Sequence, residues 1–369
     1  MPESPSPRAG QHPATWNDRR FLDLVGIEIP IIQAPMAGSV DAELVVALSE
    51  AGGLGSLPCA MLDIEQIRTQ LQIIRQRTSR AINVNFFCHE LPQRDSSREV
   101  VWAERLRSYY VELGLDTTVQ PDVAARPPFD ESMCDLVAEF TPEVVSFHFG
   151  LPQRRLVDRV KSTGTKVIST ATFVQEARWL EDEGCDAIIA QGYEAGGHRG
   201  MFLTQDIAGQ VGTMALVPQV ADAVRVPVIA AGGIADARGI VAAFALGASA
   251  VQMGTAYLFC PEAKVGSLHR SALRDARDEA TALTNVFTGR PARSIVNRIV
   301  REVGPMSDAA PQFPLAAGAI APMRKKSEEI ASADFIPLWS GQAAALGYEL
   351  PAGELTRQLA VETLERMGP

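Results

Sequence analysis

Eight short apolar segments recur along the chain, and stretches with the helical spacing of apolar residues separate most of them. The segments cover 27–33, 53–56, 81–86, 144–147, 166–169, 187–190, 228–230 and 250–252. Because their apolar residues do not alternate with polar ones, both faces of each predicted strand should be buried. Eight buried parallel strands joined by helices predict an α/β fold, a (β/α)8 TIM barrel, with an open doubly wound sheet as the competing architecture.

Two regions fall outside this repeat. The stretch 88–140 carries helical segments between the third and fourth strands, and no further strand pattern follows the eighth. Helical spacing after the eighth strand covers 267–284, 292–303 and 354–367. We therefore predict a barrel formed by 21–87 and 141–260, and a smaller helical domain, formed by 88–140 and 261–369, that covers one end of the barrel. Residues 1–20, rich in proline and polar side chains, are predicted to be a flexible tail.

The composition excludes several classes of protein. A net charge of −10 over 369 residues argues against a dedicated nucleic-acid binder, because phosphate contacts need a basic surface. No apolar run is long enough for a membrane-spanning helix, and the N-terminus lacks the apolar core of a secretory signal. The five cysteines are scattered without a C-x-x-C pair. We therefore expect neither a disulfide framework nor a metal site, and a cytoplasmic location.

Six of the predicted strands end in short motifs rich in glycine, small or amide residues. These are QAPMAG (33–38), NVNFF (83–87), SFHFG (146–150), QGYEAGGH (191–198), AAGGI (230–234) and QMGT (252–255). In a barrel, ligands bind at the carboxyl ends of the strands. The small residues of the first motif allow a flat ligand to approach closely, and Asn85 offers an amide. We predict that the functional site lies where these six ends converge.

The last two of these loops are where barrels commonly hold a phosphate group. Gly232, Gly233 and Gly254 leave backbone N–H groups open to an anion, and Thr255 can donate its hydroxyl. The helix that follows each loop should add its dipole. Glycines at strand ends also make tight turns in any barrel. Two adjacent loops of this kind favour the phosphate site over turn formation alone.

Two histidines are candidates for reactive or ligand-contacting groups. His198 follows two glycines in GYEAGGHRG; a loop histidine is more often solvated than catalytic, but its glycine-rich position favours a role in the site. His148, between two phenylalanines at a strand end, is either a site residue or a buried core histidine. His89 beside Cys88 lacks the further ligands that a metal needs. Nothing near Cys59 activates its thiol, so a structural role is expected.

In this order along the chain, the six motifs resemble the nitronate monooxygenases, formerly called 2-nitropropane dioxygenases, and in particular their class I branch. The resemblance covers about residues 24–260. AAGGI alone also occurs in other phosphate-binding barrels, whereas all six motifs in order are specific. The resemblance implies an FMN-binding barrel with a helical substrate domain. It also implies that alkyl nitronates, and nitroalkanes where they are accepted, are oxidised with O₂ to carbonyl compounds and nitrite.

The resemblance further assigns residues to roles. His198 is the implied catalytic residue, which can take a proton from a nitroalkane because histidine titrates near neutral pH. His148 is the implied substrate-binding residue. The implied FMN ligands are Met36, Asn85, Gln191, Gly196, Gly233, Gln252, Met253, Gly254 and Thr255. The expected partners are a small nitronate or nitroalkane and O₂, without nucleic acid, membrane or metal, and a homodimer is compatible with the sequence.

The sequence departs from the family on the substrate side. Class I enzymes tend to carry tyrosines near a Tyr-Pro motif, whereas this chain has Phe313-Pro314 followed by alanines and Gly318. Tyr109 and Tyr110 are the remaining candidates for tyrosines in the pocket. We therefore expect a roomier, less polar pocket that suits a larger nitro compound.

Three other functions stay open. An FMN-dependent enoyl reductase would share the barrel and the flavin but would need NAD(P)H as electron donor. A flavin-free phosphate-binding barrel enzyme would share the glycine loops. An inosinate-dehydrogenase-like enzyme of that kind needs a reactive cysteine after the sixth strand, and 191–200 contains none. The third alternative is a flavin-binding protein that has lost catalysis.

Overall fold

The computed structural model describes residues 16–117 and 127–368 of the chain. In chain order the strands are β1 (Ile31–Gln33), β2 (Gly55–Pro58), β3 (Ile82–Phe87), β4 (Val144–His148), β5 (Lys166–Ala171), β6 (Ala187–Gln191), β7 (Gly197–His198), β8 (Val228–Ala231), β9 (Ala250–Met253), β10 (Thr281–Thr284) and β11 (Ala292–Ile295). The helices are α1 (Arg20–Val25), α2 (Ala42–Glu50), α3 (Ile64–Arg77), α4 (Ser96–Glu112), α5 (Glu131–Phe140), α6 (Arg154–Ser162), α7 (Val174–Asp182), α8 (Thr213–Ala223), α9 (Ala237–Ala245), α10 (Thr255–Leu258), α11 (Ser267–Asp275), α12 (Arg298–Val303), α13 (Ala316–Glu329) and α14 (Ala352–Met367).

Eight parallel strands form the barrel in the order β1-β9-β8-β6-β5-β4-β3-β2. The ring closes between β1 and β2, where Ile32 and Leu54 form a parallel bridge. The side chain of Gln33 continues this contact, since its Oε1 accepts a hydrogen bond from the backbone N–H of Ser56 at 3.0 Å. The predicted TIM barrel is confirmed, and the open sheet is excluded.

The amino-terminal end of the barrel is plugged by α1. Phe21 and Leu22 are buried and belong to the same apolar cluster as the inward-facing Ile32 and Ile229. Burying these side chains removes apolar surface from water and fills the lower half of the barrel. Space for a ligand is therefore left at the carboxyl ends of the strands.

The first described residues already contact the barrel. Trp16 donates its indole N–H to the carbonyl of Glu28 at 3.0 Å, and Ser249 donates its hydroxyl to Asp18 at 2.6 Å. The last part of the predicted tail is thus attached to the barrel base, and α1 begins at Arg20. The rest of that tail, 1–15, lies outside the described residues.

Two helices that were predicted to belong to the helical domain pack on the barrel. Met133 and Val137 of α5 join the main apolar core around the strands, as do Leu355 and Leu359 of α14. In particular, α14 lies against α2 and α9. Sequence spacing identified these helices as amphipathic, but it carries no information on which core receives their apolar face.

A separate apolar cluster unites α4, α12 and α13. Trp102 and Tyr109 of α4 are buried there with Ile299 and Ile320. The hydroxyl of Tyr110 donates to the carbonyl of Ala319 at 2.6 Å, which ties α4 to α13. Tyr109 and Tyr110 do not line the cavity described below, so the expectation that they are pocket residues is wrong; they form the core of this unit instead.

A small antiparallel sheet, in the order β10-β11-β7, replaces part of the helical structure predicted after the barrel. The expected helices over 267–284 and 292–303 are wrong for Thr281–Thr284 and Ala292–Ile295, which are strands. The reason is tertiary: β11 pairs with β10 and also with β7 from the loop after β6. A partner strand that lies about 95 residues away is invisible to local periodicity.

Candidate active site

A cavity of about 650 Å³ opens at the carboxyl ends of the barrel strands. Ten of the predicted site residues line it, namely Met36, Asn85, His148, Gln191, Gly196, His198, Gly233, Gln252, Gly254 and Thr255. Met253 is the exception, because its side chain is buried in the outer core between strands and helices. The structure thus brings together the ends of β1, β3, β4, β6, β8 and β9, as the motifs predicted.

The floor of the cavity is polar. Asn83 donates from Nδ2 to the hydroxyls of Ser56 and Ser146, each at 2.9 Å. Asn85, one layer higher, donates from Nδ2 to the Ser146 hydroxyl at 3.0 Å and to its carbonyl at 3.2 Å. With its N–H groups used inside the barrel, Asn85 has its carbonyl oxygen to offer to a ligand.

Gln252 carries a buried acceptor that the protein does not use. Among the described residues no hydrogen-bond donor reaches its Oε1, although the atom is buried and the side chain lines the cavity. A buried polar atom without a partner costs about 1–3 kcal/mol. Such an atom at a cavity wall is therefore a site for a ligand donor, as an N–H of a planar heterocycle would be.

Two glycine positions in the cavity lining, after β6 and β8, pack closely against neighbouring protein atoms. A Cβ on Gly196 would lie 2.5 Å from the backbone nitrogen of Gly341, so the loop and the 340–341 segment touch backbone to backbone. Gly232 has a φ of +112°, which side-chain-bearing residues rarely adopt. The glycines of these two loops therefore serve close approach and turn geometry together.

The helix dipoles near these loops are only partly available to an anion. The carboxylate of Asp236 accepts from the N–H groups of Arg238 and Gly239 at 2.9 and 3.3 Å, so it caps α9 itself. Asp236 therefore already occupies two N–H groups at the start of the helix after β8, and a contribution of that helix to a phosphate site stays a prediction. Thr255, at the start of α10, accepts a hydrogen bond from Gly341 N–H at 2.9 Å and still lines the cavity.

His198 lies in β7, where it pairs with Ala292 of β11. Its Nε2 is 2.9 Å from the hydroxyl of Thr288. The imidazole lies among aromatic rings, with centroid distances of 5.4 Å to Phe313 and 5.5 Å to Trp339. Thr288 and Trp339 were missed by sequence reasoning, because they reach His198 through the small antiparallel sheet and its neighbouring segment.

The backbone of His198 is held from the barrel side. Its carbonyl accepts from Nε2 of Gln191 at 3.0 Å and from Nε2 of His148 at 3.3 Å. Gln191 also accepts the N–H of Gly200 at 2.8 Å through Oε1. Both ends of the Gln191 amide therefore bind the loop that carries His198, in addition to facing the cavity.

His148 is held as the neutral imidazole. Burial, reinforced by the nearby Arg290 guanidinium, lowers the pKa of His148 to about 3. Because a carbonyl only accepts, the contact with His198 places the ring proton on Nε2, and Nδ1 then accepts from the Thr170 hydroxyl at 3.1 Å. Both ring nitrogens thus have protein partners, which favours a bracing role for His148 at the edge of the cavity.

Two buried arginines, Arg199 and Arg293, and the half-buried Arg290 lie near the loop that carries His198. Arg199 donates to the carbonyls of Gln191 and Gly192, at 2.8 and 2.5 Å, and Arg293 donates twice to the carbonyl of Tyr193. The guanidinium of Arg290 lies 3.9 Å from the centre of the Phe149 ring.

None of these three arginines forms an ion pair with a carboxylate within the described residues. Burial lowers the pKa of Arg199 and of Arg290 to about 10, which leaves both charged at neutral pH. The charged guanidinium groups of Arg199 and Arg293 therefore hold the loop through its carbonyls.

Comparison with known proteins decides the family. The family model described as nitronate monooxygenase matches residues 18–362. This chain belongs to the nitronate monooxygenase family. It is 41% identical over 345 residues to the nitronate monooxygenase of Pseudomonas aeruginosa, covering 93% of this chain and 98% of the relative. It is 39% identical over 346 residues to that of Paraburkholderia phytofirmans, with 93% and 94% covered.

Solved structures agree with this membership. The nitroalkane oxidase from Streptomyces ansochromogenes superimposes with a TM-score of 0.86 at 37% identity, over 94% of this chain and 99% of that one. FabK from Thermotoga maritima is more distant, with a TM-score of 0.73 at 29% identity over 94% and 96%. The chain is thus a flavin-dependent oxidoreductase of the nitronate monooxygenase family.

The cavity fits a flavin on its own chemistry. It offers an acceptor without a protein donor at Gln252 Oε1, an amide oxygen at Asn85, and glycine-lined walls at Gly196 and Gly233. No cluster of three or more metal-ligating side chains occurs within 16–117 and 127–368. None of the helices in those ranges has both the length and the apolar content needed to cross a bilayer.

Proposed function

We propose that this protein is an FMN-dependent nitronate monooxygenase that oxidises alkyl nitronates with O₂. Overall, two nitronate anions and one O₂ give two carbonyl compounds and two nitrite ions, which balances atoms and charge. The observation that carries the proposal is His198 at the wall of a cavity whose other walls are a glycine cradle and the unused acceptor of Gln252. Family membership supports it independently.

The residues proposed to hold FMN line the cavity at the ends of β1, β3, β8 and β9. The planar ring would meet Met36, Asn85 and Gln252, and the phosphate would meet the loops of Gly233, Gly254 and Thr255. When bound, FMN supplies the electron acceptor for the nitronate and the means of passing electrons to O₂. Gln191 and Gly196 contribute by holding the β6 loop against this space rather than through a charge.

The protein's own work in the reaction centres on His198. Thr288 Oγ1 lies 3.4 Å from the carbonyl of Arg290, to which it can donate, so it accepts a hydrogen bond from His198 Nε2–H. In its neutral form His198 would take the α-proton of a neutral nitroalkane. Protonated His198 would hydrogen-bond the nitro oxygens of the resulting anion. The surrounding aromatic rings exclude water and strengthen that charge interaction.

A spectroscopic experiment tests this function. The purified protein should be yellow, and anaerobic addition of ethyl nitronate should bleach the flavin absorbance; admission of air should restore the absorbance and release nitrite. A colourless protein that does not bind added FMN would overturn the proposal. His198→Asn should abolish turnover of neutral nitroethane and leave part of the turnover of preformed ethyl nitronate, because only the nitroalkane needs a base.

The same experiment can also test the alternative that the protein is an NAD(P)H-dependent reductase, because FabK shares the fold at 29% identity. An NAD(P)H-dependent reductase would oxidise NADH in air without any nitronate present. We expect no steady NADH oxidation by the yellow protein. Steady oxidation together with no response to nitronates would favour the reductase.

A further inference from the structure

One wall of the cavity is a single face of α13. Ala317, Ala321, Arg324 and Glu328 line the cavity, and their spacing of four, three and four residues places them on the same side of the helix. Ala317 and Ala321, in the first half of the helix, do not extend beyond Cβ. This part of the wall therefore leaves space in the cavity, and the charged side chains of α13 begin only at Arg324.

This wall is fixed in place. Trp102 of α4 donates its indole N–H to the carbonyl of Ala316 at 3.4 Å, and Tyr110 donates its hydroxyl to that of Ala319 at 2.6 Å. Elsewhere on α13, Ile320 and Met323 are buried in the cluster shared with α4, and Ile320 also reaches the cavity. The helix is anchored on its outer side, so it cannot collapse onto the space that its alanines leave.

Aromatic rings line the same cavity. Phe87, Phe287 and Trp339 line the cavity, and Trp339 packs 5.4 Å from Phe287 and 5.5 Å from the His198 imidazole, centre to centre. Phe87 lies 6.2 Å from the same imidazole. The cavity that His198 lines is therefore bounded both by aromatic rings and by the methyl groups of α13.

The cations that line the cavity within the described residues are already paired. Arg324 binds Glu328 at 2.9 Å, and Lys264 binds Asp41 at 3.3 Å. His269 contacts the carbonyl of Trp339 at 3.0 Å, and burial lowers the pKa of His269 to about 4, so it is neutral at pH 7. A carboxylate on the substrate would gain no free cation here and would meet Glu328 at the cavity wall.

Resting on the proposed function, we propose that Ala317, Ala321 and Trp339 determine specificity, and that the preferred substrates are nitronates with a bulky apolar group. A branched alkyl or an aryl substituent would fill the space between α13 and Trp339. Burial of such a group contributes roughly 0.8 kcal/mol per CH₂, whereas a carboxylate would have to be desolvated without a partner.

Steady-state kinetics test the proposal on the FMN-loaded enzyme. The nitronates of phenylnitromethane, nitroethane and 3-nitropropionate are compared by O₂ uptake. We expect the highest kcat/KM for the phenyl substrate and the lowest for the carboxylate. In Ala317→Leu and Ala321→Leu, kcat/KM for the phenyl substrate should fall about ten-fold or more, while that for ethyl nitronate should change about two-fold or less.

Ala103→Leu is the matched control, because Ala103 is exposed on α4 and does not line the cavity; it should change none of these values. The proposal is overturned if the carboxylate substrate is used as well as the phenyl one. It is equally overturned if the α13 variants lower kcat/KM for all three substrates by the same factor.

Binding separates this inference from the proposed function. Nitrobenzene cannot form a nitronate, and its binding is measured from the change in flavin absorbance. Wild type should bind it, and Ala317→Leu should weaken binding about ten-fold. If wild type binds nitrobenzene and Ala317→Leu binds it more weakly, but no nitronate is turned over, the apolar pocket is supported and the proposed function is overturned. If ethyl nitronate is turned over but nitrobenzene does not bind, the proposed function is supported and the specificity inference is overturned.

Discussion

Replacement of Gln191 by leucine distinguishes two roles for one amide. Gln191 lines the cavity, where it was assigned to FMN, yet both of its polar atoms bind the loop of His198. The substitution keeps the volume close to the original and removes both hydrogen bonds. The carbonyl of His198 retains the bond from His148, but the buried N–H of Gly200 loses its acceptor.

The expected magnitude follows from that loss. An unpaired buried N–H costs about 1–3 kcal/mol, so unfolding free energy should drop by that amount. With its carbonyl held by one donor instead of two, the His198 loop can shift, and a displacement of about 1 Å costs on the order of 100-fold in rate. We therefore expect a large fall in kcat for nitroethane at saturating FMN, with little change in the dissociation constant of FMN.

The assay measures FMN affinity by fluorescence titration, kcat at saturating FMN, and urea unfolding. Gln219→Leu is the matched control, since Gln219 is exposed on α8 and donates only to its own helix at Ala215. Weakened FMN binding with an unchanged kcat at saturating FMN would refute the role of Gln191 in holding the His198 loop. It would instead make Gln191 a direct flavin ligand.

Three further predictions follow. Between about pH 6.5 and 3 the unfolded chain binds a proton at His148 that the folded protein does not. The free energy of unfolding therefore falls with falling pH, by up to about 1.4 kcal/mol per pH unit. In His148→Gln the urea midpoint should depend less on pH between pH 7 and 5, and an unchanged pH dependence would contradict this. Gly196→Val should prevent FMN binding, because its Cβ would lie 2.5 Å from the Gly341 nitrogen. Gly209→Ala, with open space around it and outside the cavity lining, should bind FMN normally. Normal FMN binding by the valine variant would contradict close packing at Gly196. Arg290→Met should raise the pKa of His148, measured by NMR titration, because it removes a nearby positive charge; an unshifted or lower pKa would contradict that cause.

The barrel and the location of its site follow from local pattern. Continuous apolar runs specify parallel strands buried on both faces, and eight of them joined by helices specify closure. Once closure is given, chain connectivity alone brings the ends of β1, β3, β4, β6, β8 and β9 to one rim. That is why ten predicted residues converge on one cavity, even though they are spread from Met36 to Thr255.

The residues that surround His198 could not be predicted from local sequence patterns. Thr288, Arg293 and Trp339 reach the site because β11 pairs with β7, a pairing between residues nearly a hundred positions apart. The same pairing makes strands of segments whose local spacing is helical.

The side on which α5 and α14 pack, the core role of Tyr109 and Tyr110, and the capping of α9 by Asp236 are likewise results of packing. The spacing of apolar residues in the sequence predicted which segments are buried strands and where those strands end. Long-range contacts, whose energy depends on neighbours that no local window contains, determined which groups surround His198 in the cavity.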